Sequence, residues 1–201
     1  MSKTLEKLRT IKLKRHCEPY RPTRKPEDIE KLLEINQGLQ TTRASKNLNA
    51  ILLKFAFWTG LRVSEICDLK LENVFLDEGK ILVLHGKGGR SRWVAIHPEL
   101  KTDLERYIYE QRQKYESTLF VLPDGRCVTR DRLEKRMKLL CNKAGFDGGW
   151  HQLRRGCFTN YANRGAPLHM LQMIAGHSDI KTTMKYIRPD VDEVLGRQRQ
   201  W

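Results

Sequence analysis

From residue 26 onward the chain alternates between two hydrophobic periods. "PEDIEKLLEIN" (26–36) opens on a proline followed by Glu27 and Asp28, which predicts a helix start: proline's missing N–H is no loss there, and acids face the positive end of the helix dipole. Leu48, Ile51, Leu52 and Phe55 recur at spacings of three and four, one buried face of a helix over about 45–58, and Gly60 stops it. "VSEICDL" (63–69) reads as a short helix with Arg62 at its entrance. Then the period changes. "KILVLH" (80–85) and "RWVAI" (92–96) are rich in β-branched and aromatic residues and flank "GKGGRS", which predicts a hairpin, and "NVFL" (73–76) adds a third strand. Helices return at 98–114 behind Pro98, at 129–144 between the cap Thr129 and the stop Gly145, and at 151–164, 167–175 and 178–187, with Ser178 capping the last. The expected class is α+β: one mainly helical domain with a small antiparallel sheet.

Composition sets limits on this plan. The 201 residues, 39% hydrophobic and 31% charged, suit one sizeable globular domain or a domain with an extension. The longest apolar run, "AILLKFAFW" (50–58), carries Lys54 and is far below membrane-spanning length, so no membrane role is expected. No apolar leader segment opens the chain. The five cysteines have no CxxC spacing, which argues for reduced thiols in a cytoplasmic setting and against a zinc site.

Charge changes the picture more. The net charge is +14, and residues 1–26 hold nine Lys/Arg and two Glu, a net of +7, half the total. Charge concentrated in this way points to a polyanion, in first place nucleic acid, with residues 1–26 as a basic arm lying on phosphates. The domain proper is expected over 27–190, and 191–201 form a tail in which Val191, Val194 and Leu195 make an apolar stripe.

Several polar residues stand at the ends of the predicted elements. Arg62 and Glu65 of "TGLRVSE" could be a local helix-start ion pair, worth little if exposed. Lys87 sits at the tip of the glycine-rich hairpin, where a turn lysine serves solubility, and "HGKGGRS" lacks the P-loop spacing. His151 and Arg154 of "HQLRRG" share one helical face that could be simply solvated. His177 could be a capping histidine and Tyr186 a half-buried packing residue.

Each ordinary explanation holds singly; together they become improbable. "TGLRVSE", a lysine in a β-hairpin, "HQLRRG", a Gly-His pair whose histidine falls 26 residues after His151, and a tyrosine nine further on occur in the order found in tyrosine recombinases, the phage-integrase family. The resemblance runs from about 27 to 190. It implies the catalytic fold of that family and an enzyme that cleaves and rejoins DNA without metal, ATP or other cofactor. Tyr186 would attack a phosphodiester and leave a 3′-phosphotyrosyl intermediate. Arg62 and Arg154 would clamp the phosphate, His177 would add a hydrogen bond, and Lys87 would protonate the leaving 5′ oxygen. His151 would accept the tyrosine's proton or support the phosphate, and Glu65 would orient a basic neighbour. It also implies double-stranded DNA as partner, assembly into a tetramer on two DNA sites, and a place in the cytoplasm, at the nucleoid or in a host cell. Arg155 and "AGH" depart from residues common in the family ("LGH" for the latter) without removing a chemical group. At most about 25–45 residues precede the catalytic region that the resemblance implies, too few for the N-terminal helical domain of many relatives. A type IB topoisomerase-like nicking-closing enzyme uses similar chemistry, and a DNA-binding regulator could keep the fold without it, though a pure binder has no need of a placed phenol.

Overall fold

The computed structural model describes residues 23–84, 91–112, 116–177 and 179–184. The element order follows the hydrophobic pattern: α1 (Pro26–Gly38), α2 (Arg43–Thr59) and α3 (Val63–Asp68), then β1 (Val74–Phe75), β2 (Lys80–Val83) and β3 (Arg92–Ala95). Helices α4 (Pro98–Arg106), α5 (Arg130–Ala144), α6 (Trp150–Asn163), α7 (Leu168–Ala175) and α8 (Ile180–Met184) complete it. Thr129 caps its helix as its sequence predicts, its Oγ1 accepting from Arg132 N, and α2 starts two residues earlier than expected because Thr42 Oγ1 accepts from Ser45 N. Helix α4 widens into a π-turn over Tyr107–Gln111, where Tyr107 is buried and its hydroxyl accepts from Val121 N at 3.0 Å.

Helix α2 is the centre of the domain. It packs against α1, α4 and α6, and α1 in turn packs on α5. The periodicity predicted one buried face on α2, but the structure also buries Leu53, Ala56 and Phe57. A helix walled in on several sides needs apolar residues around most of its circumference, so "AILLKFAFW" is a core helix. Its one buried amide, Asn49, donates to Asn36 Oδ1 at 2.9 Å, and Asn36 Nδ2 donates to Lys46 O, so the α1–α2 contact leaves that polar pair satisfied.

The three strands form an antiparallel sheet in the order β1-β2-β3, with Ile81 opposite Val94 and Val83 opposite Arg92. Ile81, Val83 and Val94 enter the core, while Trp93 points the other way and is half exposed beside Phe75. The hairpin tip 85–90, which contains Lys87, lies outside the described residues, as do the arm 1–22, Ser178, Tyr186 and the tail 191–201. Among the described residues no helix is long and apolar enough to cross a membrane.

Two close backbone approaches fix how α6 sits. Gly60 ends α2 at φ 64°, and a Cβ there would lie 2.9 Å from Phe158 Cζ on α6. Gly156, inside α6, faces the backbone of Arg24; a Cβ would fall 2.0 Å from the Arg24 carbonyl oxygen. Arg24, at the end of the basic segment, is buried, donates to the Asp147 carbonyl and stacks 4.3 Å over the Phe146 ring. Gly156→Ala is therefore expected to lower stability by about 1–3 kcal/mol, the usual cost of overpacking. Because the segment at Arg24 must lift away, trypsin should cut after Arg24 faster than in the unsubstituted chain; thermal melts with timed proteolysis read both effects.

Candidate active site

The ends of α2, α3, α6 and α7 and the start of β3 meet at one place, and arginines hold them there. Arg154 on α6 is 3% exposed. A buried guanidinium must have its N–H groups satisfied. NH1 donates to the carbonyl of Gly60 at the end of α2, and NH2 donates to the carbonyl of Ala175 at the end of α7, 2.6 Å away. Both acceptors belong to helix C-termini, where main-chain carbonyls lack intrahelical donors and carry partial negative charge. NH2 also lies 3.2 Å from His177 Nε2, and the guanidinium carbon sits 4.9 Å over the Phe158 ring.

Arg62 is the N-cap residue of α3. Its main-chain N–H donates to Glu65 Oε2 and its NH1 to Glu65 Oε1, each at 2.8 Å, so Glu65 caps the helix and pairs with the arginine at once. Glu65 has a second partner. Arg92, the first residue of β3, donates in parallel from NH1 and NH2 to the two carboxylate oxygens at 2.9 and 2.8 Å, and from Nε to the Ile174 carbonyl at 2.8 Å. The side chains of Glu65 and Arg92 are 7% and 9% exposed. Burial alone would raise the Glu65 pKa, but the Arg92 hydrogen bonds, the Arg62 N–H and the charges of both arginines bring it down to about 2.

His177 follows α7 and faces this cluster. Its Nδ1 is 2.9 Å from Thr183 Oγ1 on α8. Burial, then the charges of Arg154, Arg62 and Arg92, lower its pKa to about 4, partly offset by Glu65. The imidazole is thus neutral at physiological pH. His151 lies in the first turn of α6, exposed, one turn before Arg154. A cleft of ≈ 640 Å³ opens beside Arg62 and Glu65, between α3 and β2, with Lys70 and Asn73 also in its lining.

Of the seven residues singled out in the sequence, Arg62, Glu65, Arg154 and His177 converge. His151 shares the Arg154 helix, and Lys87 and Tyr186 lie outside the described residues, although their chain neighbours Arg92 and Thr183 both reach the cluster. The phage integrase family profile matches residues 24–193, most of the chain. The chain belongs to the phage integrase family.

Individual family members are similar over most of this chain. The tyrosine recombinase XerA of Pyrococcus furiosus (strain ATCC 43587 / DSM 3638 / JCM 8422 / Vc1) is 28% identical over 88% of this chain and 63% of its own length. The tyrosine recombinase XerC of Lactobacillus leichmannii is 31% identical over 83% of this chain and 60% of its own. The chain thus spans about 60% of the length of the curated relatives it matches. In structure it resembles XerA recombinase, with a TM-score of 0.72 at 23% identity over 90% of this chain and 65% of that one. It also resembles the XerH site-specific recombinase bound to difH substrate in a pre-cleavage complex, at 0.70 and 25% identity over 89% of this chain and 53% of that one.

Arg92 and Thr183 belong to the same cluster, although no local sequence signal marks either. Glu65 was expected to orient a basic neighbour, but nothing in "SRWVAI" separates Arg92 from the other basic residues of the hairpin; only the pairing of β3 with β2 brings it to Glu65. Removing one member of a buried ion pair leaves the other charge uncompensated. Glu65→Gln is expected to lower stability by about 3 kcal/mol at neutral pH, the low end for such a loss. The pH profile separates Glu65 from His177, the depressed carboxylate and the depressed imidazole of this cluster. A carboxylate depressed from 4.5 to about 2 contributes stability that is complete above pH 4.5 and lost as pH falls toward 2. A histidine depressed from 6.5 to about 4 loses its contribution between those values, higher up the scale. Thermal melts from pH 7 to pH 2 should show the Glu65→Gln variant with a smaller fall below pH 4.5 than the unsubstituted chain.

Proposed function

We propose that this chain is the catalytic part of a site-specific DNA recombinase, which cleaves and rejoins strands of double-stranded DNA through a 3′-phosphotyrosyl intermediate on Tyr186. The observation that carries this reading is the cluster of Arg62, Arg154 and neutral His177 beside the Arg92-paired Glu65, in a member of the phage integrase family.

The phenolate of Tyr186 attacks the phosphorus in line, the P–O bond to the 5′ oxygen breaks, and that oxygen takes a proton from Lys87. Rejoining reverses these steps: the 5′ hydroxyl attacks the phosphotyrosine and the phenol leaves, so the bond energy stored in the intermediate suffices. As attack proceeds, charge builds on the non-bridging oxygens. Fixed guanidinium forks stabilise that charge with no reorganisation at the moment of reaction. Arg154 is held by carbonyls and Arg62 by Glu65, so both are set before a phosphate arrives. His151, one turn before Arg154, takes the phenol proton or supports the phosphate. The cleft beside Arg62, with Lys70 and Asn73, receives the strand next to the scissile phosphate. The basic arm adds sequence-independent contacts to phosphates. Two duplexes are brought together by four subunits; exposed Met170 and Met173 on α7 and Ile180 and Met184 on α8 support such contacts between copies.

The test uses duplexes selected by binding from a randomised pool, each rebuilt with a nick beside the presumed cleavage position so that the released fragment diffuses away. The chain should accumulate a protein–DNA adduct that survives denaturing electrophoresis. Arg62→Lys keeps the charge but loses the planar fork. It is expected to slow adduct formation by about 10²–10³-fold, as for a lost transition-state donor, with DNA affinity nearly unchanged. Absence of adduct from the unsubstituted chain on every selected duplex would leave a DNA-binding protein without the chemistry.

A further inference from the structure

Thr183 is wholly buried on α8, three positions before Tyr186, and its hydroxyl lies 2.9 Å from His177 Nδ1. The other ring nitrogen, Nε2, lies 3.2 Å from Arg154 NH2. A guanidinium offers only N–H donors, so Nε2 here presents its lone pair. A neutral imidazole has one ring proton, which therefore sits on Nδ1 and is donated to Thr183 Oγ1. A phosphate reverses these demands: its oxygens only accept, so Nε2 must carry the proton to hydrogen-bond one of them. Nδ1 is then bare and requires a donor. The doubly protonated ring is the costly alternative, because Arg154 from α6, Arg62 from α3 and Arg92 from β3 face it, with Glu65 as the opposing charge.

A rotating hydroxyl meets both demands, since it is a donor and an acceptor. We propose that Thr183 is a positioning residue for His177: its hydroxyl holds the imidazole in either tautomer, so that Nε2 accepts from Arg154 in the empty site and donates to a phosphate oxygen in the occupied one. This rests on the reading that the clamp holds a DNA phosphate. In the exchange Nδ1 gives its proton to solvent and Nε2 takes one from solvent, so the ring stays neutral. The arrangement also ties the helix leading to Tyr186 to the arginine clamp through one side chain.

Two isosteric changes separate this role from packing. Thr183→Val keeps the shape and loses the hydroxyl, whereas Thr183→Ser keeps the hydroxyl and loses a methyl. On the nicked duplexes, Thr183→Ser should form adduct within a few-fold of the unsubstituted rate. Thr183→Val should be slower by about 10- to 100-fold, the effect of one unsatisfied buried partner, with DNA affinity unchanged. The tautomer is read independently by long-range proton–nitrogen NMR correlation of His177 in the full chain. The proton is expected on Nδ1 without additive and on Nε2 with orthovanadate, a mimic of the phosphoryl transition state. A Thr183→Val protein as fast as the unsubstituted chain, with Thr183→Ser the slower of the two, would overturn the proposal, as would a proton on Nε2 without vanadate. If the unsubstituted chain forms no adduct, the recombinase reading fails and the vanadate experiment alone decides the role of Thr183.

Discussion

A single guanidinium, that of Arg154, sets where the rest of this site can be. A charge 97% removed from solvent is costly unless its hydrogen-bonding groups are met. Here they are met by main-chain carbonyls at the ends of α2 and α7 and by His177. The partners are backbone and cannot move without moving helices. Stability and function therefore share a geometry: the contacts that make Arg154 tolerable in the core also aim it. Gly60 is part of the same constraint, because its carbonyl receives Arg154 while its missing side chain leaves room for Phe158 beneath.

Charge balance explains the second layer. Arg62, Arg92 and Arg154 meet one carboxylate, Glu65, and an imidazole held neutral. The group thus carries a surplus of two positive charges in a partly enclosed space, where electrostatic interactions are stronger than in water. A phosphodiester attacked by a phenolate passes through a state of two negative charges. In the proposed reaction the surplus would complement that state better than it complements the singly charged diester, the differential binding that lowers a barrier. Glu65 keeps the surplus from being larger and holds Arg62 and the root of the hairpin in register.

Helix and strand positions were legible in the sequence because the hydrophobic period, caps and stops agreed with one another. The prolines at 26 and 98, Thr129, Gly60 and Gly145 mark boundaries through local physics that survives in the folded chain. The burial around α2 was not legible, since how many neighbours wall in a helix depends on its tertiary setting. The clustering of Arg62, Glu65, Arg154 and His177 was visible only through the family resemblance, because no local pattern joins residues 62 and 154. Arg92 was not legible for a related reason: a strand's first arginine looks like any other until its partner strand and the end of α7 bring it to Glu65. Thr183 was hidden inside a short helix whose visible signal was the tyrosine that follows.

A clamp that serves a tyrosine nucleophile requires one tyrosine to carry the cleaved strand. The chain has six tyrosines, and among them Tyr107 and Tyr161 have hydroxyls engaged with backbone, at Val121 and Trp58. The most direct measurement is mass spectrometry of the nuclease-trimmed protein–DNA adduct, with Tyr186→Phe treated in parallel. Expected are a nucleotide attached through a 3′-phosphotyrosine on the peptide containing Tyr186, and no adduct from the Phe variant, which should still bind DNA. A nucleotide mapped to any other tyrosine, or an adduct formed by Tyr186→Phe, would contradict the role of Tyr186.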